Sequence, residues 1–158
     1  MDDFHGDSLA KDIASVPGRM GGLGLRSAER SRKPTFLASW MDALPVLDKR
    51  LPHVARNVSA HLSRRVMPAH WFLSEVQLSF QEIIGKGGDL LPCWEDIRKG
   101  STPPQADDGF DASEWKKGWQ YYTCSIFETY FMNNVIKPLC SPSRSALLLS
   151  QSGAVGSA

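Results

Sequence analysis

The sequence predicts an all-α fold: a small irregular bundle of about five helices with a Pro/Gly-rich central linker. Three observations carry that prediction. Apolar residues recur at three- and four-residue spacing along most of the chain, the period of a helix face. Alternation of period two, the mark of a half-buried strand, is almost absent. Prolines and glycines fall where periodic segments begin and end. No internal repeat is evident. At 158 residues, with 42% hydrophobic and 22% charged side chains, the chain has the length and composition of one modest globular domain.

Residues 1–18 mix charge, small residues and Pro17-Gly18. They read as a disordered or frayed leader, with one short helix at most around Leu9, Ile13 and Val16. Residues 19–84 form the next unit: a glycine turn, a basic run and a three-helix segment. In the first helix Phe36, Trp40 and Leu44 recur every four residues, with Leu37 and Met41 beside them. Pro34 suits the first turn of that helix and Pro45 is expected to end it. The second helix starts near Pro52 and gathers Val54, Val58, His61, Leu62 and Val66 on one face, with Arg56, Arg64 and Arg65 elsewhere. The third runs from about Ala69 to Ile84 with Phe72, Val76, Phe80 and Ile83 as its stripe. Gly85 is placed to stop it in the left-handed conformation.

Residues 85–110 are the expected linker, with Gly85-Lys86-Gly87-Gly88, Pro92 and Ser101-Thr102-Pro103-Pro104. Within it Leu90, Leu91, Trp94 and Ile97 suggest a short packed turn or helix. Residues 111–152 hold a long helix and a short one. Asp111 and Glu114 have capping-box spacing, with Ser113 the alternative cap. Trp115, Trp119, Tyr122, Ile126, Tyr130 and Val135 make a stripe, and Pro138 closes the helix. Ser141-Pro142 opens the short helix, and residues 153–158 form a disordered tail.

Charge and cysteine usage narrow the function classes. The net charge is +1, so nucleic-acid affinity has to come from local clustering. Such a cluster lies between Arg19 and Lys33, where Arg19, Arg26, Arg30, Arg32 and Lys33 face a single acid, Glu29. The start of the sequence is acidic where a secretory signal needs positive charge. The three cysteines Cys93, Cys124 and Cys140 are too few and too scattered for a disulfide framework. An intracellular protein, cytoplasmic or nuclear, is therefore expected. No apolar run approaches the ~20 residues that span a bilayer, so no membrane partner is expected.

Motifs for catalysis and cofactors are missing. Gly21, Gly22 and Gly24 form a glycine-rich turn whose amides can cradle phosphate. They fit no nucleotide-binding fingerprint, because Ser27 stands three residues after Gly24. The plainer reading, a turn that needs positive φ, carries the greater weight. Asp107-Asp108 sits among prolines and a glycine, not on the apolar hairpin that a two-metal carboxylate pair requires. No Cys or His spacing suits zinc. Cys124 has aromatic neighbours on its helix and reads as an inert core thiol. His53, His61 and His70 read as surface or half-buried side chains. No metal, cofactor or catalytic residue is assigned. The aromatics Trp115, Trp119, Tyr122, Phe127 and Tyr130 could stack on bases, but at helical spacing they read as core.

Gly21-Gly22-Leu23-Gly24-Leu25-Arg26-Ser27 followed by Phe36-Leu37-Ala38-Ser39-Trp40 resembles the region after the palm in non-LTR (LINE-type) retrotransposon reverse transcriptases. Gly118-Trp119-Gln120 and the stretch from Ser141 to Gly153 are similar to downstream parts of such elements. The resemblance covers roughly residues 15–153. It implies a thumb-like helical region, which in the family holds the primer–template duplex behind the active site. The finger and palm motifs and the cysteine-rich downstream segment of the family are not in this sequence. The resemblance thus implies a non-catalytic fragment with weak binding to an RNA or DNA duplex backbone. Arg26, Arg30, Arg32 and Lys33 are its expected phosphate contacts, and Gly21, Gly22 and Gly24 the turn that presents them. The alternative is a small helical protein–protein interaction module. It would self-associate through the Trp115/Trp119/Tyr122 or Phe36/Trp40/Leu44 face. A standalone enzyme finds no support in the residues.

Overall fold

The computed structural model describes residues 11, 14, 15, 27–64, 69–104 and 118–138, with the backbone alone at Val135. Among these residues there is no strand, and the fold is all-α. The helices are α1 (Ala28–Arg50), α2 (Pro52–Leu62), α3 (Trp71–Gly85), α4 (Trp94–Arg98) and α5 (Trp119–Phe131), the last followed by a π-helical turn, Met132–Ile136. The chain divides into two compact units, Arg32–Phe127 and Met1–Ser31 with Glu128–Ala158.

Helix α1 starts at Ser27, whose Oγ accepts a hydrogen bond from the Arg30 amide at 3.2 Å. That is the N-cap geometry that satisfies an otherwise orphaned donor. Glu29 in the first turn and Lys49 and Arg50 in the last complement the helix dipole. The helix runs to Arg50 with both Pro34 and Pro45 inside it, so neither proline is the boundary that the sequence suggests. Each removes a ladder hydrogen bond, and the packing outweighs that loss. Pro34, Leu37, Ala38, Met41 and Leu44 are all buried on one continuous face. Beyond Pro45 the helix is held by Leu47, packed on the core, and by Asp48, which accepts from Arg98 Nη1 at 2.5 Å. Pro52 succeeds where Pro45 does not. It forces Leu51 out of the helical region, to φ −137° and ψ 70°, and opens α2.

The core of the larger unit joins Leu37, Met41 and Leu44 of α1 to Ala55 and Leu62 of α2 and to Leu73, Val76 and Ile83 of α3. Trp94 and Ile97 of α4 and Trp119 and Phe127 of α5 complete it. Several expected stripes are rotated by about one position. Phe36 and Trp40 flank the α1 face, and Phe72 and Phe80 flank that of α3. On α2 the buried residues are Ala55, Ser59 and Leu62, whereas His61 is exposed. On α5 they are Trp119, Thr123 and Phe127; Tyr122 and Ile126 are half-buried and Tyr130 is exposed. Thr123 explains the shift on α5. Its hydroxyl lies 3.0 Å from the Pro34 and Trp119 carbonyl oxygens and shares one proton between them. A small donor that satisfies its own polar atom can sit where an aromatic was expected. The expected cap residues Asp111, Ser113 and Glu114, together with Trp115, lie outside the described residues, as does the short helix after Ser141.

Residues 85–104, the larger part of the expected linker, are packed within this unit, with Trp94 and Ile97 in the core. Two glycine-closed helix ends shape them. After α3 the Gly88 amide donates to Ile83 O and the Gly87 amide to Ile84 O, with Gly87 at φ +102°. After α4 the Ser101 amide donates to Asp96 O and the Gly100 amide to Ile97 O, with Gly100 at φ +94°. Both are Schellman closures. The left-handed residue after α3 is therefore Gly87, not Gly85, which lies within the helix. Gly88 is needed for another reason: a Cβ there would stand 2.7 Å from Ile83 Cγ2 and 2.9 Å from Ile83 O.

In the smaller unit the Arg30 guanidinium lies over the Phe131 ring, 4.4 Å from its centroid. The Asn134 side chain donates to Tyr130 O at 2.8 Å, and Ile136 is buried.

Candidate nucleic-acid interface

The basic run divides once its side chains are placed. Gly21, Gly22, Gly24 and Arg26 lie outside the described residues. Arg30 is half-buried; besides its packing on Phe131, its Nη2 donates to Ser15 O at 2.5 Å. Lys33 pairs with Glu82 Oε2 at 2.5 Å, and Lys86 stands 3.5 Å from the other oxygen of the same carboxylate. Burial opposes ionisation of Glu82, but the two lysines outweigh it and hold the carboxyl below its ordinary range. Arg32 is exposed on α1. Of the three described cations, two are engaged within the fold and one faces solvent.

A second basic surface lies on α2. From Lys49 to Ser74 the sequence contains no Asp or Glu, yet it holds Lys49, Arg50, Arg56, Arg64 and Arg65 and three of the four histidines. Those five cations exceed the net charge of +1, so the remainder of the chain is net acidic. His53, Arg56, Asn57, Ala60, His61 and Arg64 recur at short helical intervals and are all exposed. They form one ridge on the outer side of α2, about 16 Å long at 1.5 Å per residue. Lys49 and Arg50 are exposed just before it.

The opposite side of α2 fixes the ridge. Ala55, Ser59 and Leu62 are buried, and α2 packs on α4 and α3. Two neighbouring carboxylates, Asp48 and Glu95, are paired by one guanidinium. Arg98 donates from Nε and Nη2 to the two oxygens of Glu95, at 3.1 and 2.5 Å, and from Nη1 to Asp48 at 2.5 Å. Its side chain is only 11% exposed. The bonds from Arg98 hold the Glu95 carboxyl below its ordinary range, while the bonds to Glu95 and then Asp48 raise the guanidinium further. Carboxylates neutralised in this way leave the field of the α2 ridge positive.

Apolar periodicity on α2 does not reveal this ridge, whose residues, except His61, lie off the expected apolar stripe. The signal that finds it is the long acid-free interval, not the density of arginines. Of the two expected interaction faces, Trp119 and Leu44 are buried, Tyr122, Phe36 and Trp40 are half-buried against the core, and Trp115 lies outside the described residues.

Cys93 is exposed and donates from Sγ to Asp96 Oδ2 at 2.9 Å. Cys124 is half-buried, 3.9 Å from Thr35 Oγ1. His53, His61 and His70 are exposed. Among the described residues, no group of three or more His, Cys, Asp or Glu is placed to hold a metal ion. Asp107 and Asp108 lie outside those residues. No helix among them is long and apolar enough to cross a membrane. No family model, curated protein or solved structure matches the chain.

Proposed function

We propose that this chain is a non-catalytic helical module that holds a nucleic-acid backbone on the outer ridge of α2. The observation that carries the reading is the separation of charge: within the acid-free interval from Lys49 to Ser74, Lys49 and Arg50 at the end of α1, Arg56 on α2 and Arg64 just after it are all exposed, while Asp48 and Glu95 are tied to Arg98. A ridge of about 16 Å matches roughly five phosphates of one strand at 3.4 Å each. The resemblance to the thumb-like region of LINE-type reverse transcriptases supports the same class of partner. In this reading Arg32 adds a further phosphate contact, and Arg26 remains a candidate from the sequence.

The test is binding of a labelled oligonucleotide, single-stranded and duplex, across a range of salt. Replacing Lys49, Arg50, Arg56 and Arg64 by alanine should weaken both complexes. It should also flatten log K against log salt by about 0.7 to 0.9 for each phosphate no longer neutralised. Unchanged affinity and slope would overturn the assignment. A second reading, the protein-interaction module, is favoured by Leu90, which is 73% exposed, and by exposed Leu78. Concentration-dependent association, abolished by Leu78→Ser with Leu90→Ser, would support it.

A further inference from the structure

Resting on that backbone reading, we propose that an aromatic corner beside the α2 ridge, built from Trp71 and the stacked rings of His70, Phe72 and Trp40, takes an unpaired base. The module would then select single-stranded nucleic acid over duplex. Trp71 is the most exposed large apolar side chain among the described residues, at 75%. An indole gains a great deal from burial, and this one stands in water at a helix start, next to three further rings. It is also held in place. The Phe72 ring packs on the core and meets Trp71 edge-on, with centroids 6.0 Å apart and planes at 88°. Phe72 in turn lies nearly parallel to Trp40, at 6.1 Å and 8°, and to His70, at 5.7 Å and 25°. The Trp71 carbonyl accepts from Ser74 Oγ at 2.8 Å. The indole thus stands at right angles to a short stack of rings at the start of α3.

The choice of ligand follows from charge and geometry together. Gln77 Nε2 donates to the Arg64 carbonyl at 2.6 Å. This bond joins the end of the ridge to α3 about 9 Å along the helix axis from Trp71, at six residues of 1.5 Å rise. His70, Trp71 and Phe72 lie inside the acid-free interval, Trp40 lies before it, two residues from exposed Asp42, and exposed Glu75 is the first carboxylate after it, one helical turn from Trp71. A partner that places phosphates on Arg56 and Arg64 and a planar apolar group on Trp71 is a nucleic-acid strand. In a duplex both faces of each base are already stacked, so a side chain on a rigid helix finds a base only where the strand is unpaired.

The experiment measures fluorescence anisotropy of a labelled single strand, and of the duplex of the same length, with the full chain. Wild type, Trp71→Ala, Trp71→Phe and the Arg56→Ala/Arg64→Ala double variant are compared, with circular dichroism as the check on folding. Trp71→Ala should lower single-strand affinity by about tenfold, change duplex affinity by less than about twofold and leave the salt slope intact. Trp71→Phe should recover most of the loss. The double variant should lower both affinities and flatten the slope. An equal loss on both ligands, or no loss with Trp71→Ala, would overturn the base site while leaving the ridge standing. Loss of self-association without loss of single-strand affinity would assign the corner to a protein partner and overturn it too. A wild-type chain that binds neither ligand would overturn the ridge as well.

Discussion

The run from Arg26 to Lys33 and the interval from Lys49 to Arg65 are both arginine-rich, and they differ in what surrounds the charges. In the first, Arg30 spends its guanidinium on Phe131 and Ser15, and Lys33 spends its ammonium on Glu82. In the second, Asp48, just before it, and Glu95, on the helix packed against α2, are bound by Arg98 instead. Basic density alone therefore does not show which cations the fold leaves facing solvent. What counts is whether acids lie within reach, and which cation they take.

The comparison can be broken at several strengths. The largest effect should come from the platform. Ile97→Ala removes a fully buried side chain under α2 and should cost about 2–5 kcal/mol, read as a lower urea midpoint. Binding should then fall only as far as the unfolded fraction grows. Next, the fourfold alanine variant of the ridge should bind oligonucleotide about tenfold or more weakly at low salt and leave thermal stability nearly unchanged. Arg30→Ala with Lys33→Ala should do the reverse, with a lower Tm and little change in binding; a strong binding defect in that pair would restore the first run as the interface. Gly87→Ala, forced to positive φ, should cost about 1 kcal/mol.

The smallest effect is on acid stability. The folded Glu82 carboxyl lies below its ordinary value of 4.5. Its contribution is complete above that value and is lost as pH falls through the lower folded one. The urea midpoint of Glu82→Gln should therefore depend less on pH below 4.5 than that of wild type. Parallel curves would show that the Lys33 pair adds nothing.

The helical class is legible in the letters because its signal is periodic and sums over many residues. Leu37, Met41, Val76, Ile83, Trp94 and Ile97 all stand out by spacing and are all buried. The helix ends are less legible. Pro45 carries the same chemistry as Pro52, and only tertiary packing at Leu47 and Asp48 decides that one is passed and the other is not. Gly85 and Gly87 are equally permissive, and the choice between them belongs to the Ile83 and Ile84 carbonyls. On α5 the buried place of Thr123 depends on Pro34, a partner far away in the chain. As for the site, spacing shows charge but not its partners: nothing local says that Lys33 meets Glu82 or that Arg98 meets Asp48. The acid-free interval is visible in the letters and needs only to be counted across element boundaries.

Gly87, Gly88 and Gly100 have a consequence for the history of this reading frame. Two of them need positive φ and the third has no room for a methyl group. Any missense change in the first or second base of a glycine codon installs a bulkier residue, so each such mutation at these places strains the chain. A relic drifting without selection would shed the three glycines as fast as any neutral codon. A gene maintained for its product would keep them while its surface letters turn over. Comparing the decay of these codons with that of exposed ones in neighbouring lineages would measure whether the fold is still being used.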